Sequence, residues 1–401
     1  MKLYLQFGYG MMQHCRDLIT SWKEGTVVLS PRDLKPERLP TFAQSITDLP
    51  GGRVLLDPQF YLPNADHERL CSHSYWPKNY QTGAFWGSER PQALLESLRE
   101  LNSSINADAM ILPGLLAQTV NDDWLATQDS VIAAAKDLDS DLPKLATIAL
   151  SADATRDDAQ VEALLEHCPQ WECDGFYVVC EHPQGAYLVD DIAWLANVLD
   201  ITAGLKLLGR KVILGYCNHQ LLVAAAAKAD AICSGTWMNV RSFPPDKFRT
   251  DYEEEIKRRS TWYYCPQALS EYKLTYLELA NRAGVLRDMA PLAGLDGGYV
   301  TPLFAGAQPS SVGFSESPAF RHYLHALKCQ IEAVTCDGFN DTVAKLETSY
   351  ETADNLTQRL AEHRIVGQQR DFAELTDIGR AALSALETTR GPMLRRRWAA
   401  L

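Results

Sequence analysis

The chain has 401 residues, of which 46% are hydrophobic and 22% are charged, a balance that supports a large core and argues against wholesale disorder. Its formal net charge of −13 argues against a dedicated nucleic-acid coat protein and predicts weak, salt-sensitive binding of duplex DNA by the chain alone. No apolar stretch is long enough for a transmembrane helix, and the first residues, MKLYLQFGYG, lack the features of a signal peptide, so we expect a cytoplasmic protein without membrane contact.

Short apolar runs rich in β-branched residues recur along the first 240 residues, separated by stretches of helical periodicity. This alternation is typical of βα units on a parallel sheet. The predicted strands are Leu3–Phe7, Thr26–Leu29, Arg53–Leu56, Ala109–Leu112, Leu145–Leu150, Gly175–Cys180, Lys211–Leu214 and Ala229–Cys233. Eight such units predict a closed (β/α)8 TIM barrel in residues 1–245. An open doubly wound sheet is the alternative, but Gly8-Tyr9-Gly10 lacks the third glycine of its nucleotide-binding turn.

Beyond residue 245 the alternation ends and helical periodicity dominates. Residues 251–290 are predicted to form two helices, and residues 291–318 form a loop rich in Gly, Pro and Ser. Residues 319–363 and 371–389 again have helical spacing. The sequence therefore predicts a mostly helical C-terminal extension, residues 246–401, packed on the barrel.

Functional groups of such barrels lie just after the C-terminal ends of the strands. Asp57 follows an apolar run directly, and a carboxylate there can act as a general acid or base or as a nucleophile; the alternative is a cap of the turn at Pro58. Glu181, after the sixth strand, is the predicted partner, because glycosidic chemistry needs a carboxylate pair; the alternative is a salt bridge at the rim. The predicted substrate-binding residues are Gln59, Tyr61, Tyr216, Asn218, Ser234, Trp237, Asn239 and Arg241.

The segment after the third strand, residues 61–91, is long and rich in rings. Long loops of this kind are often lids or binding loops. We expect some of its rings to stack on a planar base or a sugar and at least half to pack the loop onto the barrel. The rings concerned are His67, His73, Tyr75, Trp76, Tyr80, Phe85 and Trp86.

The ten cysteines are scattered, and none forms a Cys-x-x-Cys pair, so we predict no structural zinc and no cofactor. A weaker alternative is a metal held by His182 and His219, which follow adjacent strands, with Glu181 as a third ligand.

Several strand endings carry a resemblance to a known family. The segments that begin at Asp174 (DGFYVV), Lys211 (KVILGY) and Ala229 (ADAIC), with Asn239 and Arg241 beyond them, resemble the second half of the tRNA-guanine transglycosylase barrel. The run Val54-Leu-Leu-Asp57, with Phe60 after it, looks like that family's turn carrying an Asp, and the segment Tyr323–Leu327 is similar to its C-terminal helical subdomain. The resemblance covers residues 50–350 in pieces.

The chain departs from that family at the residues that matter most for its chemistry. Cys233 or Ser234 stands where the family has its nucleophilic Asp. Gly114 and Leu150 stand near the places of its guanine-reading Asp and Gln, and Cys265 alone lies near its zinc ligands. Of the residues that the family uses in catalysis, only Asp57 carries over.

The resemblance implies glycosyl transfer or base exchange on a nucleobase, nucleoside or nucleic acid, with Asp57 as acid, base or nucleophile. The alternative from a different class is a catalytically silent barrel that serves, with protein partner subunits, in a larger nucleic-acid-processing assembly. A third hypothesis is a carbohydrate-active hydrolase that uses Asp57 and Glu181.

Overall fold

The computed structural model describes residues 1–62, 65–78, 90–252 and 260–401. Its first part is a closed barrel of parallel strands. The strands are β1 (Lys2–Gln6), β2 (Gly25–Leu29), β3 (Gly52–Leu56), β4 (Met110–Ile111), β5 (Leu116–Ala117), β6 (Lys144–Leu150), β7 (Gly175–Cys180), β8 (Lys211–Leu214) and β9 (Ala231–Ser234). They pair in the order β4-β3-β2-β1-β9-β8-β7-β6-β5, and a pairing of β4 with β6 closes the ring. The predicted (β/α)8 barrel is confirmed.

The nine strands occupy eight positions around the ring, because β4 and β5 share the fourth position. Met110 of β4 pairs with Lys144 at the start of β6, whereas Leu116 of β5 pairs with Ala149 near its end. Pro113 lies between the two pieces and has no N–H for a ladder hydrogen bond, which is consistent with the break. A Cβ on Gly114 would lie 2.8 Å from Thr147, so glycine is needed where the chain passes β6.

Helices follow most barrel strands and cover the outside of the ring. They are Met12–Trp22, Leu39–Thr47, Glu68–Cys71, Arg90–Ser104, Asp122–Lys136, Ala152–Arg156, Asp158–His167 and Ile192–Leu207. Between β8 and β9 the connection is a buried 3-10 helix, His219–Ala225.

The C-terminal part begins with a β-hairpin, so the prediction of two helices in residues 251–290 was wrong for residues 262–273. Strands β10 (Trp262–Cys265) and β11 (Ser270–Lys273) pair antiparallel. The run Trp-Tyr-Tyr-Cys favours a strand, and Leu269, with φ of 48°, makes the turn that brings β11 back. The helices that follow are Leu274–Ala283, Glu316–Val334, Phe339–Glu362, Leu375–Thr389 and Gly391–Arg397.

A single apolar core extends from the barrel into the C-terminal helices, where it includes Tyr323, Leu346 and Trp398. A second, smaller core lies between the hairpin and the helices around it, with Tyr263 and Leu277 among its residues. Within the described ranges, no helix combines the length and apolar character that crossing a bilayer requires.

Candidate functional site

Asp57 lies at the C-terminal end of β3, and its carboxylate is fully buried in the barrel mouth. The Tyr61 hydroxyl donates to Oδ1 at 2.8 Å, and the backbone N–H of Gln59 donates to the same oxygen at 2.9 Å. The Tyr216 hydroxyl donates to Oδ2 at 2.6 Å. Tyr216 follows β8, which is opposite β3 in the ring, so its side chain reaches across the mouth. Asp57 therefore lies at the predicted strand end, and its carboxylate also caps its own turn by accepting the N–H of Gln59.

Two residues that hold this carboxylate have left-handed backbones, which non-glycine residues adopt rarely. The φ of Gln59 is 55° and that of Tyr216 is 56°. The Gln59 Nε2 donates to the Tyr216 hydroxyl at 3.1 Å and to Ser30 Oγ at 2.8 Å. Strained residues cost on the order of 1–3 kcal/mol each and are frequent at functional sites. Two such residues, Gln59 and Tyr216, contact the same carboxylate, and this distinguishes the end of β3 from the other strand ends.

The segment after β9 closes over Asp57. Residues 238–248, here called the cover, place the ring of Phe243 at 4.9 Å from Tyr61 and 5.2 Å from Tyr216, between ring centroids. The buried Lys247 has its Nζ 3.8 Å from the centroid of the Tyr216 ring and donates to the backbone oxygen of Asn239 at 2.8 Å. Arg32 Nε donates to the backbone oxygen of Lys247 at 2.6 Å and so ties the cover to the end of β2.

Burial raises the pKa of the Asp57 carboxyl above its usual range. The donors Tyr216, Tyr61 and the Gln59 N–H, together with the charge of Lys247, oppose this rise in part. A carboxyl whose pKa is raised by burial holds its proton to a higher pH than an exposed carboxyl does, which favours a role as a general acid.

Glu181 follows β7, three ring positions from β3, and its contacts are different from those of Asp57. Its Oε2 accepts the backbone N–H of Ala152 at 3.2 Å. Burial raises the pKa of its carboxyl, and the nearby Asp246 and Asp153 raise it further. The two carboxylates thus occupy separate environments, and the pairing of Asp57 with Glu181 stays a prediction.

Among the predicted binding residues, Gln59, Tyr61 and Tyr216 meet at Asp57, whereas Arg241 contacts the C-terminal part and Asn218 caps a helix of the barrel. Arg241 is buried, donates to both oxygens of Glu271 at 3.3 and 3.4 Å, and stacks its guanidinium 3.4 Å from the centroid of the Tyr323 ring. Asn218 caps the 3-10 helix after β8 by accepting the N–H of Gln220 at 2.8 Å.

The other three predicted binding residues follow β9 and also take part in the packing of the mouth. The Ser234 hydroxyl is buried beside the Tyr323 hydroxyl. Trp237 lies on the rim, where its Nε1 donates to the backbone oxygen of Tyr9 at 3.0 Å. Asn239 belongs to the cover and contacts Lys247 through its backbone oxygen.

The described rings of the long segment after β3 pack onto the barrel. The Tyr75 hydroxyl donates to the backbone oxygen of Pro58 at 2.7 Å, and the centroid of the Trp76 ring lies 4.8 Å from that of Phe60. His73 is buried against the backbone oxygens of Pro31 and Leu34. The predicted stacking rings Tyr80, Phe85 and Trp86 lie outside the described residues.

In the described residues, no three His, Cys, Asp or Glu side chains come close enough to hold a metal ion. His182 bonds through Nδ1 to the backbone oxygen of Ala186 at 2.9 Å and packs its ring on Trp194. His219 is enclosed by rings, including Tyr264 at 4.9 Å and Phe372 at 5.7 Å between centroids. The two histidines thus have separate packing roles, which removes the geometric basis for the metal alternative.

A cavity of about 350 Å³ lies at the opposite end of the barrel. It is lined by the N-terminal ends of β1, β2 and β3 and by Lys328, Ile331 and Glu332 of a C-terminal helix. Active sites of (β/α)8 barrels lie at the other face, so the size of this cavity does not make it the functional site.

Sequence reasoning did not single out Lys247 or Glu271, and it assigned no role to Ser30, although this residue was visible at the end of the second strand. Lys247 lies in a loop with no periodic pattern, and Glu271 lies in the hairpin that was predicted as helix. No periodic signal in the run SEYK marks Glu271 as a buried residue.

Neither protein-family models nor curated proteins include a match to this chain. Among solved structures, the chain is similar to the carboxyl transferase domain of Rhizobium etli pyruvate carboxylase with 3-bromopyruvate, at 9% identity and a TM-score of 0.34, over 98% of this chain and 79% of that one. It is also similar to the enoyl reductase domain of MlnA from the macrolactin cluster of Bacillus amyloliquefaciens, at 12% identity and a TM-score of 0.31, over 100% and 96%. Scores of this size support no inference about function. The resemblance to tRNA-guanine transglycosylases stays a prediction.

Proposed function

We propose that the chain is a barrel enzyme that transfers or exchanges a nucleobase or nucleoside unit, with Asp57 as the reacting carboxylate. The observation that carries the proposal is a buried carboxylate at a strand end, held by two residues with left-handed backbones. Burying a carboxylate without a cationic partner in contact destabilises a fold, and so does each strained residue. Such costs concentrate where a protein needs a group of a particular protonation state and position.

Asp57 would act first as an acid and then as a base. It would give its proton to the ring nitrogen of the departing base as the bond to the sugar breaks. It would then take a proton from the incoming base as the new bond forms, so that the carboxyl returns to its starting state. The alternative route within the same proposal is attack of a carboxylate oxygen on the sugar carbon.

Movement of the cover would give a substrate access to Asp57, because the carboxylate is fully buried and Phe243 packs on both tyrosines that donate to it. The cover is attached through the Arg32–Lys247 hydrogen bond and through ring contacts, and none of these is covalent. Closure over a bound substrate would exclude water from the reacting bond, as lids do in other enzymes.

Base exchange tests the proposal directly. Purified protein is incubated with tRNA, single-stranded DNA or nucleosides together with labelled free nucleobases, and incorporation of the label is followed. We expect Asp57→Asn to lower the exchange rate by roughly 100-fold or more, the usual scale for a general acid or base. Asp377→Asn is the matched control, because it makes the same substitution at an exposed carboxylate of a C-terminal helix. Exchange that survives in Asp57→Asn would contradict the proposal.

A second candidate is a catalytically silent barrel that binds nucleic acid within a larger assembly. The observation that favours it is that the chain's own groups already supply the Asp57 carboxylate with three donors. This candidate predicts no exchange by the wild type on any substrate, and equal binding of a single-stranded oligonucleotide by the wild type and Asp57→Asn.

A further inference from the structure

Two tyrosine hydroxyls donate to the same carboxylate, but the two tyrosines are held differently. Tyr61 donates to Oδ1 at 2.8 Å and does not have a left-handed backbone. Tyr216 donates to Oδ2 at 2.6 Å from a left-handed backbone. Its hydroxyl oxygen also accepts from Gln59 Nε2, and its ring lies under the ammonium group of Lys247. The chain thus fixes Tyr216 from three sides.

The local sequence is suited to bringing Tyr216 into the mouth. Gly215 precedes it, and a Cβ there would lie 2.4 Å from the Tyr177 hydroxyl, so the backbone passes too close to β7 for any side chain. A glycine at position 216 would adopt the left-handed conformation without strain. Tyrosine gains nothing there from the backbone, and its contribution is the hydroxyl on Asp57.

We propose that Tyr216, rather than Glu181, is the second functional residue of the Asp57 site, a positioning residue that donates a hydrogen bond to the carboxylate and couples it to the cover. This inference rests on the proposed function. When Asp57 releases its proton, the Tyr216 hydroxyl donates a charge-assisted hydrogen bond to the new anion. The proton that leaves Asp57 goes to the departing group, and Tyr216 keeps its own.

Lys247 links this hydrogen bond to the closed cover. Its positive charge faces the π surface of Tyr216, which strengthens the hydroxyl as a donor and favours the ionised Asp57. Since Lys247 belongs to the cover, opening the mouth withdraws that charge. The titratable groups that face Asp57 are Tyr61, Tyr75, Tyr177, Tyr216, Cys233 and Lys247.

The test compares Tyr216→Phe with Tyr61→Phe, since each removes one hydroxyl from the same carboxylate and keeps the ring. The readout is the titration of the Asp57 carboxyl by carbon NMR, assigned by its absence in Asp57→Asn. We expect Tyr216→Phe to raise the titration midpoint by about one pH unit or more, and Tyr61→Phe by less than about half of that. In the exchange assay we expect a loss of roughly 10-fold or more for Tyr216→Phe alone.

Equal shifts in the two variants, or a larger one in Tyr61→Phe, would overturn the inference. If Tyr216→Phe does not fold, Lys247→Met replaces it; we expect that variant to raise the midpoint, and an unchanged midpoint overturns the coupling. The titration decides the inference even if Asp57→Asn keeps its exchange activity, an outcome that would remove the proposed function alone.

Discussion

Asp57 and Glu271 are both buried carboxylates, and they differ in what surrounds them. Asp57 meets two tyrosine hydroxyls and a backbone N–H in the barrel mouth. Glu271, on β11, meets the guanidinium groups of Arg241 and Arg370, the latter at 2.7 Å. Burial raises the pKa of both carboxyls, and at Glu271 the two arginines more than reverse this, so that its pKa lies at about 2.

The different surroundings indicate that the two carboxylates have different roles. Glu271 is ionised at every physiological pH and ties Arg241, which follows the last barrel strand, to Arg370 of the C-terminal part. Asp57 has no such compensation and keeps a proton more readily. A buried carboxylate that stabilises a fold needs cationic partners that compensate its negative charge. A carboxylate that exchanges a proton needs that compensation to be incomplete.

The largest effect on stability is expected at Glu271. Glu271→Gln leaves the buried Arg241 and the half-buried Arg370 without their counter-charge, and removing one partner of a buried ion pair costs roughly 3–5 kcal/mol in the free energy of unfolding. Urea denaturation measures it. Glu347→Gln, which breaks the more exposed contact with Arg380, is the control and should cost less than about 1 kcal/mol. Equal losses in both variants would remove the structural role assigned to Glu271.

The two carboxylates should also impose opposite pH dependences on stability. The pKa of Glu271 is lowered on folding, so its contribution is complete above about pH 4.5 and is lost as the pH falls towards about 2. The pKa of Asp57 is raised on folding, so its contribution is largest below the unfolded value of about 3.9 and declines as the pH rises through the folded value.

Unfolding free energies of the wild type, Glu271→Gln and Asp57→Asn across this range test the comparison. The gap between the wild type and Glu271→Gln should narrow in acid. Asp57→Asn should gain stability relative to the wild type as the pH rises above about 4. Parallel curves for all three proteins would mean that neither carboxyl changes its ionisation on folding.

The smallest effect is expected at the loop after β3. Tyr75→Phe removes the hydrogen bond to the backbone of Pro58, next to Asp57, and should cost roughly 0.5–1.5 kcal/mol of stability. Base exchange should stay within about twofold of the wild type, because Tyr75 packs the loop rather than stacking on substrate. Thermal denaturation and the exchange assay together check this. A large loss of exchange with unchanged stability would restore the binding role for this ring.

The barrel could be predicted from the sequence because each βα unit has a local sequence pattern, an apolar run followed by apolar residues at helical spacing. Asp57 could be predicted for the same reason, since it directly follows β3. The partner of Asp57 could not, because strand count alone does not say which side chains reach across the mouth. Glu181 was chosen as the partner because it is a carboxylate. Tyr216 reaches Asp57 from the opposite side of the ring and has a left-handed backbone, which no local sequence pattern predicts.

Contacts between residues that are distant along the chain could not be predicted from the sequence either. Lys247 lies in an irregular segment, and only the closed barrel places its ammonium over Tyr216, 31 residues earlier in the chain. Glu271 was hidden because its strand was predicted as helix. The tyrosines of β10 and β11 are buried, and the segment that contains them had been predicted to be helical.

A paired comparison of Asp57→Asn and Glu271→Gln separates a carboxyl that takes part in the reaction from one that stabilises the fold. Base exchange and the free energy of unfolding are measured on both proteins at neutral pH. We expect Asp57→Asn to lose roughly 100-fold or more in exchange rate, with stability equal to or above that of the wild type. We expect Glu271→Gln to lose roughly 3–5 kcal/mol of stability, while the protein that remains folded still exchanges base. Lowered stability with unchanged exchange in Asp57→Asn would contradict this expectation.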